Sequence, residues 1–318
     1  MSRWLRNSFF LLLLAGLPAW GAPDDALVVT ALRNPVDKSY RRMVRGMDLF
    51  AEMRALAPQA ALRYRLLPRR RDTDMQDVAL HVVGKSFDEP LAVAADGTFT
   101  LARDARALDE NAVVRSERRA NSLTWRAEVR TPGLAPGVRR LGDLRLECLV
   151  GMEAGLVSRY PSLFGRLFDL LDDPRSFCGR RDVPYLFFAE RALFGVTLVS
   201  GSRRESVALR QLYAGTTGKS KDREHCDCAV LVERAYDLPL GERSWPDDTR
   251  VEFDFMDEAA QAEGWTREQL VSAFGAPKVL RFDNGYELWA YEWDERNEFV
   301  ALVDRSGRVT KTRLRQPS

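Results

Sequence analysis

Residues 265–277 carry start and stop signals for one short helix, and these signals constrain the fold more than any other feature of the chain. Thr266 can cap the helix N-terminus, and Gln269, three residues later, can reach back to the Thr266 amide. Gly275 can adopt the left-handed conformation just past the last turn, and Pro277 prevents the helix from resuming. The sequence therefore predicts a helix that begins after Thr266 and ends before Gly275.

Strand patterns follow this helix as far as residue 315. They are interrupted by turn sequences at residues 283–285, 294–297 and 306–307. A helix followed by short strands joined by tight turns is typical of a small α+β unit. We therefore predict a helix and a β-meander over residues 257–318.

This C-terminal pattern resembles the SmpA/OmlA family, also called BamE, a small envelope module of the outer-membrane barrel assembly machinery. The family pattern has a Thr, a Gln-Val-like pair, a Gly-x-Pro turn, a Trp-x-Tyr strand and a strand that ends in a Gly turn. These features fall on Thr266, Gln269-Leu270, Gly275-Ala276-Pro277, Trp289-Ala290-Tyr291 and Gly307. The resemblance implies a role in envelope assembly through contacts with envelope proteins.

Residues 1–21 have the layout of a secretory signal peptide. Two arginines precede the apolar run 9–14, and Ala19 and Gly21 supply the small residues that a signal peptidase requires. The run is too short to stay in a membrane as an anchor. SmpA/OmlA proteins are lipoproteins, but here no Cys follows the run to carry a lipid. We therefore predict a periplasmic or secreted protein of a Gram-negative cell envelope, cleaved after Gly21 or Ala22, with no transmembrane segment in the mature chain.

The near-balance of positive and negative side chains limits the classes of partner that the chain can bind. The 48 Lys and Arg residues nearly balance the 46 Asp and Glu residues, which gives a net charge of +2. Because so small a net charge attracts nucleic acid weakly, we expect no nucleic-acid partner. The mature chain is long enough for two or three domains. We place their boundaries at residues 22–155, 156–256 and 257–318.

The chain has four cysteines, which are Cys148, Cys178, Cys226 and Cys228. An even number of cysteines in an oxidising compartment predicts two disulfides. Cys226 and Cys228 are too close in sequence to pair without strain, so each is expected to pair with either Cys148 or Cys178. The competing interpretation is a metal site at residues 225–228, but zinc requires four ligands at wider spacing. We favour disulfides over a metal.

Most of the remaining sequence has the pattern of strands separated by turns. Near-helical spacing of apolar residues over 40–56 predicts an amphipathic helix, and a second helix is predicted over 161–171. The predicted strands are 61–67, 77–83, 90–101 with a hairpin turn at Asp96-Gly97, 123–129, 141–150, 185–188, 193–199, 206–213 and 251–255. This pattern favours antiparallel, β-sandwich-like regions. The predicted fold class is α+β, mainly β, with a small C-terminal helix-plus-meander domain.

Few residues suit catalysis. A Ser-His-Asp or Cys-His arrangement would have to use His81 or His225, the two histidines of the chain. The pairs Asp172-Asp173 and Asp247-Asp248 have the pattern of turn and capping residues rather than of a catalytic pair. We therefore predict no catalytic residues and no cofactor. A binding or scaffolding protein is favoured, and the alternatives are an exported hydrolase whose site is scattered over loops and an exported inhibitor.

Three aromatic residues of the C-terminal unit are the candidate binding residues. Side chains alternate along the strand 286–293, so Trp289, Tyr291 and Trp293 share one face of the sheet. Leu288 and Ala290 share the other face. This alternation separates a strongly aromatic face from an aliphatic one.

The predicted helix packs through Leu270, Val271 and Phe274 and can cover only one of the two faces. The aromatic face is expected to lie elsewhere, because three large aromatic side chains are rarely left in water as one patch. It lies either against the preceding domain or against a partner protein. Aromatic side chains commonly anchor interfaces, so the second possibility makes this face a docking surface.

Overall fold

The structure, a computed structural model, describes residues 35–119, 121–157, 173–180, 185–215, 230–257, 264–294 and 297–315. Within them the helices are α1 (Tyr40–Glu52), α2 (Ala105–Asp109), α3 (Leu141–Glu153), α4 (Pro174–Cys178) and α5 (Arg267–Phe274). The strands are β1 (Pro35–Ser39), β2 (Ala61–Pro68), β3 (Leu80–Val83), β4 (Asp88–Leu91), β5 (Thr98–Phe99), β6 (Val113–Arg119), β7 (Leu123–Arg130), β8 (Val138–Arg140), β9 (Phe187–Phe188), β10 (Leu193–Ser200), β11 (Arg203–Ser206), β12 (Ala235–Tyr236), β13 (Arg250–Phe255), β14 (Lys278–Arg281), β15 (Glu287–Asp294), β16 (Asn297–Val303) and β17 (Val309–Arg315). The predicted signal peptide and the predicted helix 161–171 lie outside the described residues.

The strand pairs are antiparallel. In the described part of the chain they form sheets with the orders β1-β6-β3-β4, β5-β2-β7, β11-β10-β13-β8, β12-β9 and β14-β15-β16-β17. Few helices accompany them, so the predicted fold class, α+β and mainly β, is confirmed.

Helix α1 begins where the sequence pattern places it. The Ser39 hydroxyl caps its N-terminus by accepting from the Arg42 amide at 3.3 Å. Its apolar face, which includes Tyr40, Met43 and Phe50, is buried. The predicted helix is thus confirmed, although its last residues form a separate 3₁₀ turn, Arg54–Leu56.

Helix α3 corrects a prediction, because residues 141–150 were expected to form a strand. The sequence LGDLRLECLV alternates apolar and polar residues at its start, which mimics the two-residue period of a strand. In the structure nearly the whole helix is buried, including Asp143 and Glu147. A helix that is enclosed on every side has no polar face, so its sequence lacks the helical period.

Two buried carboxylates of α3 bind the edge of β7 that faces away from β2, where no strand of the described residues pairs with it. Asp143 accepts from the amide and the hydroxyl of Thr131, each at 2.8 Å. Glu147 Oε2 accepts from the Val129 amide at 2.9 Å and from Arg139 Nη2 at 2.6 Å. Arg139 Nη2 also donates to the Val129 carbonyl at 2.5 Å. These bonds satisfy backbone groups that would otherwise be buried without partners.

Arg145 of α3 holds a distant loop against the helix. Its Nε donates to the Leu240 carbonyl at 2.9 Å, and its Nη2 donates to the carbonyls of Glu242 at 2.8 Å and Trp245 at 2.9 Å. Nη1 donates to Asp247 at 2.5 Å. The planar donor fork of arginine allows one side chain to fix four points of the loop.

Helices α1 and α3 pack closely on each other. At Gly46 of α1, an added Cβ would lie 2.9 Å from the Ala154 Cβ at the end of α3. A larger residue at position 46 would therefore push the two helices apart. The close approach explains a glycine within a helix, where it otherwise lowers stability.

Within the described residues a disulfide joins Cys148 of α3 to Cys178 of α4, with a Cα–Cα distance of 6.0 Å. The expectation that each of Cys148 and Cys178 pairs with Cys226 or Cys228 is therefore wrong. Packing of α4 beside α3 brings the two cysteines together across 30 residues of sequence. A disulfide that closes a loop of this length is expected to stabilise the fold by about 3–4 kcal/mol. Cys226 and Cys228 lie outside the described residues.

Two further strand predictions need correction. Residues 206–213 do not form a strand, since β11 ends at Ser206 and a 3₁₀ turn, Leu209–Gln211, follows. Asp96-Gly97 does form a tight turn, with Gly97 at φ 76°. However, the strands on either side of it join different sheets, because β4 pairs with β3 and β5 pairs with β2.

The described residues belong to one compact unit, and one hydrophobic core runs from Val36 in β1 to Leu302 in β16. Leu288 and Val300 of the C-terminal sheet belong to this core. The predicted domain boundaries after residues 155 and 256 stay predictions. One face of the C-terminal sheet thus packs on the rest of the molecule.

Candidate functional site

Helix α5 forms as its sequence signals predict. The Thr266 hydroxyl accepts from the Gln269 amide at 3.4 Å, and the Gln269 side chain accepts from the Thr266 amide at 2.7 Å. Gly275 ends the helix with φ 78°. The capping box and the glycine stop are both confirmed. Leu270 of α5 packs on Trp289 and Tyr291, so α5 lies across the face of the sheet that points away from the main core.

Helix α5 is too short to cover that face. Its eight residues span about 12 Å at 1.5 Å per residue. The eight residues of β15 span about 26 Å at 3.3 Å per residue. Part of the sheet face must therefore be left open at the margins of the helix.

Trp289 and Tyr291 lie beneath α5. They form a small cluster with Leu270 of the helix, and each is 6 % exposed. Trp289 Nε1 donates to Glu287 at 2.9 Å. The alternation along β15 is as predicted, but the helix covers the aromatic face, and the Leu288 face packs on the main core. The expectation that the aromatic face lies away from the helix is therefore wrong.

A docking role for Trp289, Tyr291 and Trp293 stays a prediction. The Trp293 side chain lies outside the described part of the structure. The burial of Trp289 and Tyr291 leaves them little surface to offer a partner. Val271, which was expected to pack on the sheet, is instead 44 % exposed.

Exposed apolar side chains surround the helix instead. Within the described residues, the large apolar side chains with substantial exposure are Leu314, Val271 and Trp265, at 54 %, 44 % and 39 %. The sequence analysis did not identify Trp265 or Leu314 as binding residues. The shortness of α5 relative to the strands was the signal that could have indicated an open margin.

These side chains form one continuous strip. The Trp265 and Phe274 rings stack with their centroids 6.0 Å apart, and the Phe274 and Phe299 centroids lie 4.9 Å apart. Leu314 is the cross-strand partner of Phe299, so the two side chains share a face. Val271 lies one turn before Phe274 on α5. We call Trp265, Val271, Phe274, Phe299 and Leu314 the α5 rim.

A second feature is a small pocket between β8, β13 and the β9–β12 pair. Aromatic side chains, including Tyr236 and Phe253, and the cations Arg130 and Arg139 line it. Its volume of about 10 Å³ is roughly the room that one water requires. The Tyr236 hydroxyl and Arg139 Nε are buried there without a hydrogen-bond partner in the described residues. The pocket thus suits a bridging water better than a substrate.

Other titratable groups have structural contacts. His81 Nδ1 lies 2.6 Å from Asp88 Oδ1 on the β3–β4 pair. Asp173 caps α4 by accepting from the amides of Arg175 and Ser176, which confirms its predicted capping role. Asp172 and His225 lie outside the described residues. No group of three or more His, Cys, Asp or Glu side chains in the described residues is placed to hold a metal.

The buried carboxyl group of Asp237 should make the stability of the fold depend on pH. Burial raises the pKa of Asp237 to about 7, although the Gln211 side chain and the Arg210 charge oppose the shift. A carboxyl whose pKa is raised by folding contributes its full stability below pH 4 and loses it as the pH rises toward 7. We therefore expect the protein to lose about 2–4 kcal/mol of unfolding free energy from this group between pH 4 and pH 8.

Urea unfolding of the wild type and of Asp237→Asn at pH 5 and pH 8 measures this contribution. The variant cannot ionise at this position, so its stability should fall less than that of the wild type between the two pH values. An equal fall in both proteins would show that Asp237 is ionised in the folded state at pH 5.

Among the helices of the described residues, none combines the length and the apolar character required to cross a membrane. Compared with protein-family models, curated proteins and solved structures, the chain matches none. The geometry of the α5 rim is therefore the main guide to its function.

Proposed function

We propose that this chain is a non-enzymatic protein of the bacterial cell envelope that binds another protein through the α5 rim. The observation that carries the proposal is the position of the exposed apolar side chains. In the described residues, Trp265, Val271 and Leu314 all surround one helix of one sheet. Single exposed apolar residues are ordinary, whereas a continuous apolar strip is typical of an interaction site.

The composition of the rim supports a protein partner. Trp265 and Phe274 are rigid aromatic side chains, which are enriched among the residues that contribute most to binding energy. Their stacking holds Trp265 in place before a partner arrives, so little side-chain entropy is lost on binding. A partner with its own apolar side chains would suit this surface.

Two features of the sequence support a location in the bacterial cell envelope. The resemblance of the C-terminal unit to the SmpA/OmlA family implies contacts with envelope proteins. Residues 1–21 have the layout of a signal peptide. Participation in envelope or outer-membrane assembly follows from the resemblance and forms part of the proposal.

Val271→Asp and Leu314→Glu are expected to weaken partner binding at least about tenfold, because each places a charge in an apolar interface. Both side chains are largely exposed, so the melting temperature should stay within about 2 °C of the wild type. A photo-cross-linking amino acid at position 271 should give a discrete adduct with an envelope protein in cells. The dissociation constant of that protein is then measured for each variant.

Ala92→Glu is the matched control, because it adds a charge at an exposed position outside the rim. It should leave the dissociation constant unchanged, and the cross-linker at position 92 should not give the same adduct. Trp265 is less suitable for this test, since its stacking on Phe274 also supports α5. Equal cross-linking at positions 92 and 271, or full binding by both rim variants, would contradict the proposal.

A further inference from the structure

Three cations of β17 lie on the sheet face opposite the α5 rim. Lys311, Arg313 and Arg315 alternate along the strand, so their side chains share one face. Lys311 is the cross-strand partner of Leu302, and Arg313 is the partner of Val300, both of which belong to the main core. The cations therefore point toward the body of the molecule.

Lys311 and Arg313 share the carboxylate of Asp254 in β13. Lys311 Nζ lies 2.6 Å from Asp254 Oδ1 and also donates to the Phe255 carbonyl at 2.6 Å. Arg313 Nη2 donates to Asp254 Oδ2 at 2.9 Å. This single carboxylate thus serves two cations.

Arg315 is the most deeply buried of the three, with 1 % of its surface exposed. Its Nη2 donates to the Phe194 carbonyl, and its guanidinium carbon lies 5.2 Å from the centre of the Phe194 ring. Its Nε and Nη1 are buried with no hydrogen-bond partner in the described residues, as is Arg313 Nη1. Burial lowers the pKa of Arg315, and the charge of Arg313 lowers it further.

The charges of this cluster are not balanced. Within the described residues, Lys311 and Arg313 pair with one carboxylate, Asp254, and Arg315 forms an ion pair with none. Glu298 is the cross-strand neighbour of Arg315, but the two form no ion pair in this part of the structure, and Glu298 Oε2 is itself buried without a partner. Buried charges are normally paired, so the open N–H groups call for an acceptor with negative charge.

We infer that Arg313 and Arg315 form a binding site for a small free oxyanion such as phosphate or sulfate. Guanidinium N–H groups match the oxygens of such ions and form charge-assisted hydrogen bonds with them. The side chains of Arg313 and Asp254 are 24 % and 26 % exposed, so the cluster borders solvent at these two residues. The burial of Arg315 excludes a bulky ligand.

Thermal unfolding of the purified protein during a phosphate titration tests this site, with the ionic strength held constant by chloride. The melting temperature of the wild type should rise with the logarithm of the phosphate concentration, because a ligand of the folded state stabilises it. Arg313→Gln should lose most of this rise. Arg315→Met removes an unbalanced buried cation, so without phosphate it should unfold at or above the wild-type temperature, and phosphate should not raise that temperature.

Arg243→Gln makes the same charge change at an exposed position and should keep the wild-type response to phosphate. The site does not exist if neither phosphate nor sulfate raises the wild-type melting temperature above the chloride control. Equal phosphate responses of Arg313→Gln and Arg243→Gln would also overturn it. If Glu298→Gln lowers the melting temperature and phosphate does not restore it, Glu298 is the counterion and no anion is bound.

Discussion

Glu147→Gln is expected to lower the free energy of unfolding by about 3–5 kcal/mol, because it leaves the charge of Arg139 buried without its carboxylate. The two side chains are 10 % and 6 % exposed, so bulk solvent screens the charge left on Arg139 only weakly. Glutamine can still accept from the Val129 amide through its side-chain oxygen. The loss therefore reports mainly on the charge, and urea unfolding followed by circular dichroism measures it.

A double variant separates the charge from the packing. Arg139→Met combined with Glu147→Gln should recover part of the lost stability, because no charge then remains buried without its partner and the glutamine still accepts from the Val129 amide. Asp48→Asn removes the carboxylate of an exposed pair with Arg103 and should leave stability unchanged. Wild-type stability of Glu147→Gln would mean that the charge of the buried pair does not stabilise the packing of α3 on β8.

Asp254→Asn is expected to lower the free energy of unfolding by about 2–4 kcal/mol, because Lys311 and Arg313 both lose their shared carboxylate. Asp254 is about a quarter exposed, so the expected loss is smaller than for the more deeply buried Glu147 pair. The measurement is urea unfolding in phosphate-free buffer, which prevents an oxyanion from replacing the carboxylate.

The matched control is Glu292→Gln in the same sheet. Glu292 pairs with Lys278 at 2.9 Å, but the two side chains are 78 % and 73 % exposed. Solvent screens such a pair, so its loss should have no measurable effect. If Asp254→Asn and Glu292→Gln unfold at the same urea concentration, then Asp254 does not hold β17 to the body.

The sequence predicts structure well where the signals are local. The Thr266–Gln269 capping box, the Gly275 stop and the alternation along β15 each depend on residues close together in the chain. They therefore determine α5 and the meander without knowledge of the rest of the fold. The same reasoning places α1, which begins at a capping serine.

The sequence predicts structure poorly where packing against distant parts of the chain determines the local structure. Helix α3 is enclosed on all sides, so no polar face marks its period, and Asp143 and Glu147 occupy positions that suggest a strand. The partner of Cys148 depends on where α4 packs, which no sequence spacing reveals. Tertiary packing overrides the local pattern in both cases.

The predicted binding residues Trp289, Tyr291 and Trp293 and the α5 rim lie in the same C-terminal unit, and a docking role for either set is not tested by the structure. Which face α5 covers depends on how the sheet docks on the main core, so Trp289 and Tyr291 were assigned to the wrong environment. Trp265 and Leu314 are exposed because α5 is too short to cover the sheet. This becomes clear only when the length of α5 is compared with the length of the strands.

The reach of Arg145 has a consequence for the time course of folding. Its bonds join α3 to a loop 95 to 102 residues further along the chain. Until this loop arrives, α3 can pack on α1 and β7, which precede it in the chain, but the side that the loop covers stays open. An apolar surface left open in this way aggregates or is held by a chaperone, so we expect the yield of folded protein to depend on a chaperone more than its final stability does.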